Sequence, residues 1–345
     1  MEIIKAGLLD TFQDRGRYGY AHLGVGSGGC MDRLAGRLAN MLVGNNKAEA
    51  VLEMHFPAPM LHFVKGATIA LTGGNFSAIA NGVALPLNRR IDLPPGAKLQ
   101  FTQKQTGQRC YLGVAGGWQL EKVLGSYSTH LKAGFGGWQG RALKKGDYIP
   151  LRKPTELLNG TDMVISKWFV YTDLFYSKGP IRVIPGPEWE WLSYAAKKTL
   201  LNEGFTISRH SDRMGYHLKS PRTGAHPAQM IIGDSMWQLK NNKNEHIKGP
   251  AIQSEKKEEL LSSGVQPGTI QLLPNGNPLL LMADCQTTGG YPRILQVAMV
   301  DMPRLAQMGA GELLNFEIID VQKAADLLQV QLKSMQSLPN AISLL

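Results

Sequence analysis

Short alternating runs of apolar and polar residues dominate the first half of the chain. EIIKAGLL alternates and ends at Asp10, and MHFPAPMLHFV, ATIALTGG, FSAIANGVALP, AKLQFTQ and RCYLGVAGG follow at close spacing. Gly, Pro, Asn or Asp bounds each run, which is the signature of strands joined by tight turns. Such spacing predicts a barrel or a sandwich. One helix interrupts the strands. MDRLAGRLANMLVG carries Leu34, Leu38, Met41 and Leu42 at helical spacing, with Gly44 where a C-terminal cap would stand and Asp32 in the early turn.

The pattern restarts after a polar, proline-containing stretch, LRKPTELLNGTDMV (151–164). This places a first domain at 1–152, an inter-domain segment at 153–180, a second domain at 181–320 and a C-terminal helix and tail at 321–345. IRVIPGPEWEWL reads as a strand, a turn and the start of a helix over 188–201, with Trp189, Leu192, Ala196 and Leu200 on one side. FTISRHSDRMGYHLK, TIQLLPNGNPLLLMAD and PRILQVAMV return to strands, and ADLLQVQLKSMQSLP is amphipathic. PPGAKLQF (94–101) and QPGTIQLL (266–273) share a turn-then-strand pattern, as two related β-rich domains would.

Composition narrows the class. The 345 residues suit about two domains of roughly 150 residues each. Hydrophobic residues at 43% and charged residues at 19% exclude a disordered chain. Glycine, at 39 residues, exceeds its usual share of about 7% and fits a turn-rich β protein. The net charge of +10 suits an acidic partner or an anionic substrate. Aromatics are not interleaved with a basic stripe, which argues against nucleic-acid binding. The stretch 240–259 mixes charge signs, as a solvated surface does. Cys30, Cys110 and Cys285 form no CxxC pair, and the eight histidines form no HExxH or HxH, so neither a zinc site nor a disulfide framework is indicated. The thiols and the lack of a signal-peptide-like start predict a cytoplasmic chain, and no apolar run is long enough to cross a membrane.

Several clusters could carry chemistry. The glycine turns TGG (72–74), AGG (115–117), FGG (135–137) and TGG (288–290) match neither GxGxxG nor the phosphate loop. They are either turns needing positive φ or backbone N–H groups around an anion. ADCQTTGGYPRI is the richest, since it sets Asp284, Thr287, Thr288 and Tyr291 beside Gly289 and Gly290 after an apolar strand. Cys285 lies within it and could be a reactive thiol or an inert core residue. SRHSDRMGYHL gathers Ser211, Asp212 and Arg213, either as part of a polar site or as a turn held by Ser and Asp side chains. DRGRYGY places Asp14, Arg15 and Arg17 together, for anion recognition or as a structural pair.

Ordered blocks carry a family resemblance. GLLDTFQDRGRYGYAHLGV…GGCMDRLAGRLANMLVGN (7–45), LGSYSTHLKAGFGGWQGRALKKGD (124–147), PGPEWE (185–190), SDRMGYHL (211–218) and MADCQTTGGYPRI (282–294) resemble the biotin-dependent carboxyltransferase / allophanate hydrolase subunit 2 family, over about residues 3–318. Among free-standing bacterial members the resemblance is to the C-type component of 5-oxoprolinase, also described as the antagonist of a sporulation-kinase inhibitor. Cys285 and Cys30 depart from the family pattern, in which a polar residue and a small alanine are expected.

The resemblance implies a mainly β protein of two cyclophilin-like β-barrel domains with a few short helices. It implies one component of a complex, working with B-type and A-type partner proteins to open a cyclic amide, 5-oxo-L-proline, to L-glutamate, with ATP used at the level of the complex. Two alternatives are carboxyl transfer, as in urea carboxylase, and regulation by binding a B-type partner that resembles the kinase inhibitor. With no biotin-acceptor segment, the chain would receive carboxybiotin only in trans. In either chemistry, Thr287, Thr288, Gly289 and Gly290 would donate hydrogen bonds, Arg213 and Arg17 would meet negative charge, and Asp284 or Asp212 would orient or deprotonate. Asp14, Asp32, Ser211 and Tyr291 complete the expected substrate-binding set.

Overall fold

The computed structural model describes residues 1–152, 162–173, 175–176, 178–220, 238–240, 246–248, 252, 254 and 260–343. His226, most of the mixed-sign stretch 240–259 and the 153–161 part of the expected inter-domain segment lie outside the described residues. The chain forms two compact units. The first comprises Met1–Ser177, Met302–Gly309 and Leu328–Leu345, and the second comprises Lys178–Asp301 and Ala310–Leu327. The fold is mainly β, with barrel-like sheets of the cyclophilin-like type and few helices.

In the first unit the alternating runs become two antiparallel sheets. One runs Glu2–Lys5, Met60–Phe63, Ala97–Phe101, Ala78–Ala80, Val83–Ala84 in spatial order. The other runs Val164–Ile165, Arg90–Leu93, Ala67–Asn75, Thr106–Val114, Val51–Met54, Asp10–Gln13. Register places Leu112 opposite Leu71 on one side and Leu52 on the other, so the inward set continues across three strands. Those leucines, Phe12 and Trp118 are fully buried, with the two rings 5.0 Å apart. MHFPAPMLHFV, which reads as one run, is divided into Val51–Met54 and Met60–Phe63 in different sheets. Asn81 and Gly82 both have positive φ at the hairpin between Ala78–Ala80 and Val83–Ala84, as a two-residue primed turn demands.

Helix α1 (Arg33–Leu42) lies against the six-stranded sheet. Asp32 is its N-cap, accepting from Ala35 N–H at 2.9 Å, and Gly44 follows its end with φ +73°. Its apolar residues divide between two neighbourhoods. Leu34, Leu38, Met41 and Leu42 join Ala70, Val170, Phe175 and Met335, while Ala35 and Ala39 pack with Cys30, Val51 and Tyr111. Gly113 lets the helix approach closely, because a Cβ there would stand 2.7 Å from the Ala39 carbonyl.

The second unit is built on an eight-stranded sheet. Its order is Leu313–Leu314, Phe205–Ile207, Gly215–Lys219, Pro278–Leu281, Thr269–Leu272, Arg293–Val297, Ile181–Pro185, Phe316–Ile318. The last pair is parallel and the other pairs in this sheet are antiparallel. Ile270 pairs with Leu280 and Leu295 on its two sides, and all three are buried. The helix expected over 188–201 is broken. A 3₁₀ turn covers Trp189–Trp191, Leu192 is extended, and Ser193 then caps helix α2 (Tyr194–Asn202) by accepting from Ala196 N–H. The buried Trp189 and Leu192 are therefore held by different local structures. Helix α3 (Met302–Gln307) is short, whereas α4 (Val321–Ser343) is long. No helix among the described residues is long and apolar enough to cross a membrane.

Gly113 is the most direct test of the α1 seat. Gly113→Ala should lower stability by about 1–3 kcal/mol, because the added methyl must displace helix backbone. Thermal and urea unfolding of this variant beside a Gly82→Ala control, whose Cβ meets open space but whose φ is positive, would separate crowding from backbone strain.

Candidate functional site

Two polar centres emerge, one in each unit. In the first, the DRGRYGY loop closes on the 125–140 loop through one carboxylate. Asp14 Oδ1 accepts from Ser126 Oγ at 2.7 Å, Ser128 Oγ at 2.6 Å and Gly16 N–H at 2.8 Å, and Oδ2 accepts from Tyr127 N–H at 2.8 Å. Arg17 is buried beside it, donates to the Ser128 carbonyl and lies 4.8 Å from the Phe135 ring centroid. Asp14 and Arg17 thus meet at Ser128 rather than at each other.

Asp32 is fully buried as well. Besides capping α1, it accepts from Tyr176 O–H at 2.7 Å and Gln307 Nε2 at 2.8 Å, while its own N–H donates to the Tyr111 hydroxyl oxygen at 2.7 Å. Burial outweighs these donors and pushes its carboxyl up to about 6. It is a positioning carboxylate, with both oxygens taken by the fold.

A cavity of about 550 Å³ opens next to these residues, within the first unit. Asp14, Cys30, Gly36, Arg37 and Asn40 line its buried or half-buried part, and Arg15, Lys47 and Lys122 are exposed around it. Cys30 fits because Gly36 opposes it, since a Cβ at Gly36 would come within 2.6 Å of the sulfur. Arg33, Arg37, Lys47 and Lys122 are absent from the residues expected from motifs. The signal was present in α1, where Arg33, Arg37 and Asn40 recur at helical spacing away from the leucines.

In the second unit Arg213 and Asp284 come together. Nε donates to Oδ2 at 2.7 Å and Nη2 to Oδ1 at 2.9 Å, with the residues only 4% and 8% exposed. Both carboxylate oxygens of Asp284 are therefore held by the guanidinium fork, an arrangement that orients and does not leave a base free. Asp212 and Ser211 form the turn that precedes the strand Gly215–Lys219. Asp212 Oδ1 accepts from Met214 N–H at 2.7 Å and Gly215 N–H at 3.2 Å, and Ser211 Oγ accepts from His217 N–H at 3.0 Å. Asp212 is exposed, so the reading of this stretch as a side-chain-held turn describes its geometry.

The TTGGY segment forms a short ladder, with Thr288 opposite Gly264 and Gly289 opposite Ser263. Gly289 passes close to the buried Gln271, where a Cβ would meet Nε2 at 2.6 Å. Gln271 Nε2 donates to the Tyr291 carbonyl, and Tyr291 itself is 43% exposed. Thr288 and Gly290 are exposed and Thr287 is half-buried, so hydroxyls are offered along this edge. Cys285 is 4% exposed, and burial pushes its thiol up to about 12, which keeps it protonated. Cys30, Cys110 and Cys285 are all free thiols. Among the described residues no three His, Cys, Asp or Glu side chains gather as metal ligands.

These blocks follow a known pattern throughout. The profile of the carboxyltransferase domain, subdomain A and B, matches residues 23–318. The chain belongs to this carboxyltransferase family. Within the family it is 32% identical to the C component of the 5-oxoprolinase of Escherichia coli, over 98% of this chain and 97% of that protein. It is 29% identical to the corresponding 5-oxoprolinase component of Haemophilus influenzae, over 95% and 94%. The crystal structure of the Kluyveromyces lactis urea carboxylase superposes with a TM-score of 0.80 at 25% identity, covering 96% of this chain and 28% of that one. This carboxyltransferase-family chain therefore has relatives that match it end to end and others in which it corresponds to one segment.

Two measurements test the site geometry. Asp284→Ala should cost about 3–5 kcal/mol by removing the carboxylate that the buried Arg213 fork holds, whereas Arg213→Met with Asp284→Leu should recover most of that loss; denaturant unfolding of both reads the difference. Asp32 supplies a pH signature. Its folded value near 6 lies above the ordinary 3.8, so the folded chain keeps a proton that the unfolded chain releases. Stability from this group is greatest below pH 3.8 and falls as pH rises toward 6. Asp32→Asn should flatten that part of the pH–stability curve.

Proposed function

We propose that this chain is the C-type component of an ATP-dependent 5-oxoprolinase, opening 5-oxo-L-proline to L-glutamate in the cytoplasm together with A-type and B-type partners. The observation that carries the reading is the reciprocal coverage. The chain spans 97% of the E. coli 5-oxoprolinase component it resembles, against 28% of the urea carboxylase chain.

The chemistry asks for groups of the kind found here. A five-membered lactam is a poor electrophile, so its opening is coupled to ATP at the level of the complex. Negative charge that develops on the amide oxygen needs N–H, O–H or cationic partners. We assign Thr287, Thr288 and the Gly289–Gly290 backbone as hydrogen-bond donors, with Tyr291 exposed beside them. Arg213 is committed to Asp284, whose two oxygens it occupies, so the pair fits an orienting role for the segment that leads into this edge. Asp212, Ser211, Asp14 and Arg17 hold the loops that shape the two centres. ATP is a co-substrate of the assembly in this reading, and the base for the attacking water is assigned to a partner protein.

Carboxyl transfer is the second reading, favoured by the superposition on urea carboxylase. The same donors would then face the anion formed as a carboxyl group moves from carboxybiotin presented in trans.

The test is glutamate release from 5-oxo-L-proline by this chain mixed with its genomic A-type and B-type neighbours. ATP-dependent glutamate should appear, and should vanish when this chain is omitted. A stable complex with no glutamate would move the assignment to carboxyl transfer or to regulation of the B-type partner. The Arg213→Met/Asp284→Leu variant refines the site: retained turnover would reduce the pair to scaffolding.

A further inference from the structure

The cavity beside α1 holds an excess of positive charge that the fold leaves unmatched. Five cations line it: Arg15, Arg33, Arg37, Lys47 and Lys122. Its two acids are already engaged. Asp14 is bound by two hydroxyls and two N–H groups, and Glu49 accepts from Arg152 at 2.8 and 3.1 Å. Asn40, on the buried side, donates to the Glu49 carbonyl.

The cations themselves are differently placed. Arg33 lies 5.8 Å from the Tyr18 ring centroid and Lys122 lies 5.0 Å from that of Tyr127. None of the five side chains makes a hydrogen bond or ion pair among the described residues. Arg37 is the clearest case. It is half-buried, its Nε is sealed from solvent without a hydrogen-bond partner, and burial lowers its pKa with no acid to offset the cost. Arg141, Arg152, Arg182, Arg213 and Arg293 each grip a carboxylate. A half-buried guanidinium that faces a cavity whose two acids are already engaged is suited to an external anion.

We infer that this cavity binds a phosphoryl-bearing ligand, with Arg33 and Arg37 gripping the phosphoryl oxygens and Lys47 and Lys122 neutralising the remaining charge. The cation excess selects this class. A monocarboxylate such as a lactam acid matches one cation, whereas a polyphosphate chain carries several charges and offers oxygens to both forks and ammonium groups. The volume of about 550 Å³ lies in the range of small-molecule sites, roughly 300–1,000 Å³. This site is a property of the chain alone and does not depend on its place in a 5-oxoprolinase.

Titration calorimetry of the full chain with inorganic tripolyphosphate tests it. Saturable one-to-one binding should appear, weaken roughly tenfold or more in Arg33→Ala/Arg37→Ala, and remain unchanged in the exposed control Lys65→Ala. Lys47→Ala/Lys122→Ala, which alters exposed positions, gives the same readout if the arginine variant fails to fold. ATP binding at least tenfold tighter than tripolyphosphate would identify a nucleotide as the source of the phosphoryl group, and equal binding would identify the phosphate chain alone. No saturable binding, equal weakening in Lys65→Ala, or binding of 5-oxo-L-proline in place of tripolyphosphate would overturn the proposal. Glutamate release by the complex is a separate readout, so its failure with tripolyphosphate binding intact would count against the 5-oxoprolinase reading and not against this site.

Discussion

Asp32 takes a carboxylate fully out of water at the first turn of α1, and the first unit is organised around keeping it there. An ionised carboxylate in such a place is costly unless donors surround it. The helix gives the Ala35 N–H, Tyr176 gives a hydroxyl, and Gln307 gives an amide. Gln307 also accepts from the N–H groups of Gln108 and Arg109 and donates to the Arg109 carbonyl. One side chain thus joins α3 to the strand Thr106–Val114 and to the α1 cap. This explains why Met302–Gly309, remote in sequence, belongs to the first unit. The direction of α1, and with it the face that carries Arg33 and Arg37, follows from this network.

Asp14 does for two loops what Asp32 does for a helix. Its donors from the second loop, two hydroxyls and one backbone N–H, are more than a hundred positions away, and the glycines around them are required by space. A Cβ at Gly136 would lie 2.2 Å from the Ser128 carbonyl, and one at Gly137 would lie 1.9 Å from Thr129 Oγ1. Both also have positive φ. The FGG run is therefore a packing device that lets the 134–140 loop sit on the 126–130 stretch. Its glycines are not evidence of an anion cradle, and the cations that outline one lie elsewhere.

The strands were legible because alternation and turn residues are local. Asn81–Gly82, the paired PG turns and the leucines of α1 all announce themselves within a few residues. Where a local signal met a non-local one, it misled. The apolar spacing from Trp189 to Leu200 mimics one helix, but Ser193 offers a better cap and restarts it. The candidate site was half legible. Arg213 and Asp284 are 71 positions apart, and only the fold shows that they neutralise each other. Arg37 carries no motif at all. Its importance comes from a buried Nε that finds no hydrogen-bond partner among the described residues, which only three dimensions can show.

The two units use one local device to different ends. In DRGRYGY, Asp14 accepts from Gly16 two residues on, and in SDRMGY, Asp212 accepts from Met214 and Gly215. Each is an Asx turn that presents the arginine following the aspartate. In the second unit that arginine, Arg213, meets Asp284, and the pair becomes buried framework. In the first unit Arg15 meets no acid among the described residues and stays exposed at the cavity, among Arg33, Arg37, Lys47 and Lys122. The same turn therefore yields structure where the fold supplies a carboxylate and a surplus of charge where it does not. A net charge of +10 says little about function while it is spread over a surface. Five cations gathered around one cavity, with the neighbouring acids already committed, are the strongest chemical statement that the first unit makes.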